Sequence, residues 1–158
     1  MAQEIERKFL VVGDAWRDAG DGGTAFRQGY LSTDPERNVR VRTKGTKAVL
    51  TIKGKARGAA GLTRAEFEVE LLFDDAEAIL DGLCLRPIIE KVRHRVEHGG
   101  LVWEIDEFSG DNAGLVVAEV ELESEEQAFD RPAWLGEEVS DDSRYLNASL
   151  VERPYSQW

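Results

Sequence analysis

At 158 residues, 42% hydrophobic and 32% charged, the chain is long enough for one domain with a full core and reads as a single soluble globular unit spanning 1–158. A formal net charge of −11, from 31 acids against 20 bases, excludes a general nucleic-acid binder, which needs a basic footprint. No apolar run follows the first Met and no stretch approaches a membrane span, so neither a signal peptide nor a membrane partner is expected. The single cysteine, Cys84, cannot form an internal disulfide, fits a reducing cytoplasm and reads as a packing residue.

In chain order, Glu4-Ile5-Glu6-Arg7-Lys8 comes first. As a β-strand it places Glu4, Glu6 and Lys8 on one face and Ile5 on the other. Two carboxylates two residues apart, roughly 7 Å, repel unless a cation lies between them. Oxygen-only ligands suit a hard divalent cation, Mg²⁺ or Mn²⁺, with room left for phosphate oxygens. Val11 to Gly23 is an exposed connection with a helical turn around Trp16, and Phe26 to Ser32 is a second strand ended by Asp34-Pro35.

Asn38 to Arg42 sets Arg40 and Arg42 on one face and Val39 and Val41 on the other. A turn at Lys44–Lys47 leads into Ala48 to Lys53, with Leu50 and Ile52 opposite Thr51 and Lys53. Gly54 to Gly61 is a loop expected to be mobile, carrying Lys55 and Arg57. Arg64 to Leu71 alternates strictly, with Glu66, Glu68 and Glu70 together. Asp74 and Glu77 have capping-box spacing for a helix to about Gly82. Beyond Pro87, Ile89 to Val96 aligns Lys91, Arg93 and Arg95. The turn His98-Gly99-Gly100 then leads to Leu101–Phe108, with Glu104 and Asp106 on its charged side. Leu115 to Glu123 opposes Ala118, Val120 and Leu122 to Glu119, Glu121 and Glu123. Ser124 and Gln127 have capping-box spacing for another short helix stopped near Pro132. The tail from Trp134 to Trp158 lacks strand alternation and is expected to be helix or loop.

About eight strands joined by short turns predict an antiparallel sheet or barrel with flanking helices. A solvated sheet face gains from mixed charges, but here the signs are segregated by strand, and like charges two residues apart are mildly destabilising. A closed barrel with a charged, water-filled lumen accounts for this, with apolar residues outward and partly covered by the helices and tail. Acidic strands would hold divalent metal, basic strands a polyanion; a short phosphate chain fits, as does any linear polyanion. Glu70, Arg95 and Glu123, near strand ends, divide evenly between lumen and solvent. His94 falls on the apolar side and His98 in a turn, so neither is expected to ligate metal, and Trp103 is expected to pack outward.

Glu4-Ile5-Glu6-Arg7-Lys8 matches an ExExK motif. Arg40 and Arg42, Lys53, Glu66/Glu68, Glu90-Lys91-Val92-Arg93, Asp106 and Glu119-Val120-Glu121 follow it in order, and Arg144-Tyr145-Leu146-Asn147 lies in the tail. Over nearly its whole length the chain thereby resembles the CYTH superfamily of triphosphate tunnel metalloenzymes, its small bacterial members in particular. The resemblance implies an eight-stranded antiparallel tunnel that binds triphosphate substrates with Mg²⁺ or Mn²⁺. Matching positions make Glu4, Glu6 and Glu121 metal ligands, with Glu119 and Asp106 as contributors. They make Lys8, Arg40, Arg42, Lys53, Lys91 and Arg93 phosphate-binding, joined by Arg57 from the loop. A second, weaker metal site or a lumen carboxylate such as Glu66 or Glu68 is the candidate to orient the attacking water, and a Lys8–Tyr30 pair is a second candidate, Tyr30 being at least equally readable as packing.

The function expected on this basis is hydrolysis of tripolyphosphate to pyrophosphate and phosphate. A class IV-type adenylate cyclase, a thiamine triphosphatase and a non-catalytic polyphosphate-binding module are the alternatives. An apolar-ligand carrier conflicts with the charged lumen. The expected partner is tripolyphosphate or another triphosphate-containing small molecule, and the oligomeric state is open to a homodimer.

Overall fold

The computed structural model describes residues 3–158. The alternating segments become strands β1 (Gln3–Val11), β2 (Thr24–Ser32), β3 (Asn38–Lys44), β4 (Lys47–Lys53), β5 (Thr63–Leu71), β6 (Ile89–His98), β7 (Leu101–Phe108) and β8 (Val116–Glu121). Helix α1 (Phe73–Gly82) separates β5 from β6, and the tail supplies strand β9 (Leu135–Glu138) and helix α2 (Asn147–Glu152). The hydrogen-bonded order is β5-β4-β3-β2-β6-β7-β8-β1, antiparallel throughout, and β1 pairs back onto β5. The result is the closed eight-stranded barrel that the charge pattern predicts.

Closure at the β1 edge is shared between two partners. Gln3 to Ile5 pair with β5, whereas Phe9 and Val11 pair with β9. Between them, the Lys8 N–H donates to Ser140 Oγ at 2.9 Å, and the Lys8 carbonyl accepts from the Val139 N–H at 2.8 Å. The tail was expected to contain no strand. β9 is four residues without alternation, and it forms because β1 offers unpaired backbone groups at that point.

Alternation sends the apolar residues of each strand outward, where separate coverings bury them. On the β1–β6–β7–β8 side, Phe9, Val96, Trp103, Ile105, Ala118 and Val120 pack with Trp16 and Trp134. Trp103 meets Phe9, Phe129 and Trp134 edge-on, with ring centroids 5.5–5.8 Å apart. On the β3–β4 side, Ala76 and Leu80 of α1 cover Val41 and Ala48, with Cys84 in the same cluster. Gly29 allows this approach: a Cβ there would lie 2.7 Å from Cys84 Cβ and 2.9 Å from Ile88 Cδ1. The outer face of β4 and β5 is left uncovered, with Phe67 50% and Val69 57% exposed.

A third cluster lies across one end of the barrel. Tyr30, Ile89, Phe108 and Val117, the last lumen-side residues of their strands, pack against Val139, Tyr145, Leu150 and Val151 of the tail. Whatever apolar surface the strands expose at that end is thus covered by the C-terminal segment.

Two expected helix starts are not formed as read. α1 begins at Phe73 with Leu72 as its cap and no side-chain cap bond. Glu77 does not reach back to the helix start because its carboxylate accepts from Arg27 Nη1 instead, and Asp74 sits within the first turn, near the positive end of the dipole. After Ser124, Gln127 Oε1 does accept from the Glu123 N–H at 2.6 Å, but only a turn results. The following residues stay extended because Phe129 and Trp134 are drawn onto the Phe9–Trp103 cluster.

Candidate active site

The inward faces enclose a cavity of about 910 Å³. Among the residues singled out in the sequence, Glu4, Glu6, Lys8, Tyr30, Arg40, Arg42, Lys53, Glu66, Glu68, Lys91, Arg93, Glu119 and Glu121 all line it. Register explains the grouping. Glu6 pairs with Glu121 and Lys8 with Glu119 across β1–β8, while Arg40 pairs with Thr51 and Lys53 with Glu66 across the opposite wall. Glu70, Arg95 and Glu123 are exposed and do not line the cavity.

Two expected members lie elsewhere. Arg57 lines a smaller cavity of about 490 Å³ beside the barrel, with Lys55, Thr63 and Arg64. Its backbone bridges to Thr63 within its own loop, and it is not among the residues that line the larger cavity. Asp106 is 0% exposed and is hidden behind the cations it was expected to face. Its carboxylate accepts from Lys91 Nζ at 2.7 Å and from Arg93 Nε and Nη2 at 2.7 and 2.9 Å. Both oxygens accept from these side chains, so Asp106 anchors two cations of the lumen wall.

The basic side of the cavity is held by its surroundings. Arg42 donates to Gln28 Oε1 at 3.0 Å, and Arg40 to Thr51 Oγ1 at 3.2 Å. The Arg40 Nε is buried without a partner among the described residues. Such a donor is costly to leave unmet, and it is an opening for an anion. Phe26 lies beneath this group, 5.0 Å from both the Arg42 and Arg93 guanidiniums, and supplies a π face. Burial pulls Lys91 down to about 7; Asp106 opposes this, while Arg93 and Arg42 add to it. Burial also works against the Arg42 charge, reinforced by Arg40 and Arg93. Burial would raise Asp106, but Lys91 and Arg93 hold it at about 2.

The acidic side carries excess negative charge. Burial raises Glu6 well above the ordinary carboxylate value, with Glu119 and Glu4 adding repulsion. Burial would raise Glu119 too, but Lys8, Arg93 and Lys91 hold it well below, so Glu6 is the member of this pair that protonates more readily. Glu121 and Glu66 are raised, by burial first and then by neighbouring acids. Lys53 Nζ lies 2.7 Å from Glu4, and Arg64 reaches Glu4 at 3.5 Å and Glu6 at 3.7 Å. Among the described residues no three carboxylate, imidazole or thiol groups converge on one point. The donor chemistry nevertheless fits a hard divalent cation, which would relieve the repulsion that Lys53 and Arg64 now offset in part.

Lys8 and Tyr30 both line the cavity without bonding one another. Lys8 Nζ donates to the Tyr145 carbonyl at 2.9 Å and lies 3.5 Å from Glu119, whereas Tyr30 Oη accepts from Gln28 at 3.2 Å. Sequence reasoning missed three contributors. Arg64 reads in the sequence only as the start of its strand, yet it is the basic side chain beside both Glu4 and Glu6. Gln28 shares the alternation phase of Tyr30 and was legible on that ground. Asn147 stands in the tail segment Arg144-Tyr145-Leu146-Asn147, but no periodicity assigns it to the lumen, where only the path of the tail brings it.

Comparison with known proteins agrees with this geometry. The CYTH domain model matches residues 2–155. An inorganic triphosphatase of Acetivibrio thermocellus is 45% identical over 158 residues, all of this chain and 99% of that protein. One from Nitrosomonas europaea is 37% identical over 152 residues, 94% of this chain and 96% of that protein. The crystal structure of an inorganic triphosphatase superposes with a TM-score of 0.65 at 35% identity, covering 96% and 95% of the two chains. A Pyrococcus horikoshii protein at 18% identity shares the fold, with a TM-score of 0.60 over 77% of this chain and 79% of its own.

Proposed function

The chain belongs to the CYTH family, and from that premise we propose that it is an inorganic triphosphatase, cleaving tripolyphosphate to pyrophosphate and phosphate. The observation that carries this reading is the single cavity in which Arg40, Arg42, Lys53, Lys91 and Arg93 face Glu4, Glu6, Glu119 and Glu121. A polyanion satisfies one side and a divalent cation the other. Family membership implies a divalent metal, and we take it to be Mg²⁺ or Mn²⁺, because the donors are all carboxylates. Glu4, Glu6, Glu119 and Glu121 would hold it. A cation bound there neutralises phosphate oxygens and draws charge from the bond being cleaved.

The protein's own contribution is positioning and charge. Arg40 and Arg42 offer planar forks, each able to grip two phosphate oxygens, and Lys8, Lys53 and Lys91 add point charges. Asp106 keeps Lys91 and Arg93 aimed. Phosphoryl transfer asks for little beyond this, since charge on the equatorial oxygens is what must be stabilised. Glu66 and Glu68 are the carboxylates of β5 in the cavity, and either is placed to orient a water on the substrate. Lys8 is oriented by Tyr145 and Glu119, which favours phosphate binding over a partnership with Tyr30. The cytoplasm remains the expected compartment, on the reasoning from Cys84.

Phosphate release from tripolyphosphate, ATP, thiamine triphosphate and pyrophosphate, with and without Mg²⁺ or Mn²⁺, tests the reading. A metal-dependent preference for tripolyphosphate is expected. Silence on tripolyphosphate with both metals, or cyclic AMP formed from ATP, would sink it.

A further inference from the structure

The tail contributes more than a cover. Arg42 can only donate, so the Gln28 oxygen must accept from it, at 3.0 Å. That choice turns the Gln28 amino group toward Asn147, where it donates to Oδ1 at 3.0 Å. Lys91, also a donor only, reaches the same Oδ1 at 2.9 Å. Two independent donors therefore fix which way the Asn147 carboxamide faces. Its Nδ2, with two N–H groups, is the end left over. Asn147 lines the cavity, and among the described residues no acceptor is bonded to Nδ2.

We infer that Asn147 is a substrate-binding residue, its carboxamide nitrogen donating to phosphoryl oxygens at the tail-covered end of the lumen. The inference rests on the reading of this lumen as a tripolyphosphate site, and it adds a neutral donor from outside the barrel to a set otherwise built of strand cations. Chemistry suits the position. A third cation beside Lys91 would push its proton off, because burial, Arg93 and Arg42 already oppose the Lys91 charge. An amide instead accepts from Lys91 through one atom and donates to an anion through the other. The same residue links the tail to the cation network, since Lys91 continues to Asp106 and Arg93. Substrate bound through Asn147 would therefore be felt by the segment that packs across the barrel end.

Asn147→Asp removes the donor and also sets a negative charge against the polyanion, so Asn147→Ala is the neutral control. The aspartate variant keeps an oxygen for Lys91 and Gln28 and replaces the N–H groups by a second oxygen facing the substrate. The KM for tripolyphosphate should rise about tenfold or more, the scale of a lost hydrogen bond to a charged group, with a smaller change in kcat and no fall in melting temperature. Asn147→Ala, which removes both atoms, should raise KM by a smaller factor and lower the melting temperature as Lys91 loses a partner. An Asn147→Asp protein with wild-type KM and normal melting would overturn the inference while leaving the triphosphatase reading intact. So would an unchanged KM in Asn147→Ala, which serves if the aspartate variant does not fold. A wild-type protein that neither binds nor cleaves tripolyphosphate would remove the reading itself, and the inference with it.

Discussion

Asp106 is the residue whose removal separates a packed, solvent-free ion cluster from an ordinary surface pair. It is 0% exposed and holds Lys91 and Arg93 through three hydrogen bonds of 2.7–2.9 Å. Asp106→Asn keeps the shape and removes the charge, which leaves Lys91 and Arg93 buried near Arg42 without their closest anion, Glu104 at 3.3 Å from Arg93 and Glu119 being what remains. Breaking a buried pair in this way costs about 3–5 kcal/mol. A second figure comes from linkage. The carboxyl is held at about 2 against an ordinary 3.8, which makes its charged state worth about 2–3 kcal/mol to the fold. The two figures agree in scale. In the wild type this contribution is fully present above about pH 4 and is lost as pH falls through 2. In the variant, Lys91 can escape its predicament by shedding its proton. A lysine with a depressed folded value binds fewer protons folded than unfolded, so stability should climb with pH from below 7 toward 10. Urea unfolding of both proteins at pH 6, 7 and 9 measures this. A loss of about 3–5 kcal/mol at pH 6, shrinking at pH 9, is expected. A loss below about 1 kcal/mol, or one independent of pH, would refute the picture of a buried cluster held by this single carboxylate.

Glu6→Gln should melt at or above the wild-type temperature, because it removes a charge that burial, Glu119 and Glu4 all disfavour, yet metal-dependent phosphate release should be abolished; a large fall in melting temperature would make Glu6 structural instead. Binding of tripolyphosphate at pH 8 should take up a proton, since the polyanion restores the Lys91 charge that burial has drawn down to about 7. Calorimetry in buffers of different ionisation enthalpy reads this, and identical heats in all buffers would contradict it. Gly29→Ala should cost about 1–3 kcal/mol by forcing Cys84 and Ile88 off the strand, measured by urea unfolding, and a neutral result would mean the α1 side of the barrel yields more than its packing suggests.

The barrel was legible because period-two alternation assigns faces without any knowledge of partners, and segregated charge then says which face is inside. Arg40 and Arg42, Lys91 and Arg93, and Glu119 and Glu121 each lie in the lumen for that reason alone. Asp106 shows the limit. Alternation put it on the inner face correctly, but depth within that face depends on which side chains grow over it. Lys91 and Arg93 are long enough to cover a short aspartate and take both its oxygens. Arg57 shows another limit, since a glycine-rich loop has no period from which a direction can be read, and Arg57 lines the smaller cavity instead.

The tail was illegible for a physical reason that also explains its importance. Its contacts are all long-range: β9 adds to an edge that β1 leaves unpaired, Ser140 caps Lys8, and Tyr145, Leu150 and Val151 seal apolar residues that the strands present at one end. None of these requires a periodic sequence, only a chain that arrives with the right groups. A barrel whose lumen is charged along most of its length cannot bury that end alone, since Tyr30, Ile89, Phe108 and Val117 on the inner face there need apolar partners. Something from outside must supply the apolar cover and at the same time satisfy Lys8, Gln28 and Lys91 where they point toward it. The Tyr145 carbonyl and the Asn147 carboxamide do the second task while the side chains around them do the first. The cost of placing so many charges inside a small barrel is therefore met partly by a segment that local sequence patterns describe only as helix or loop.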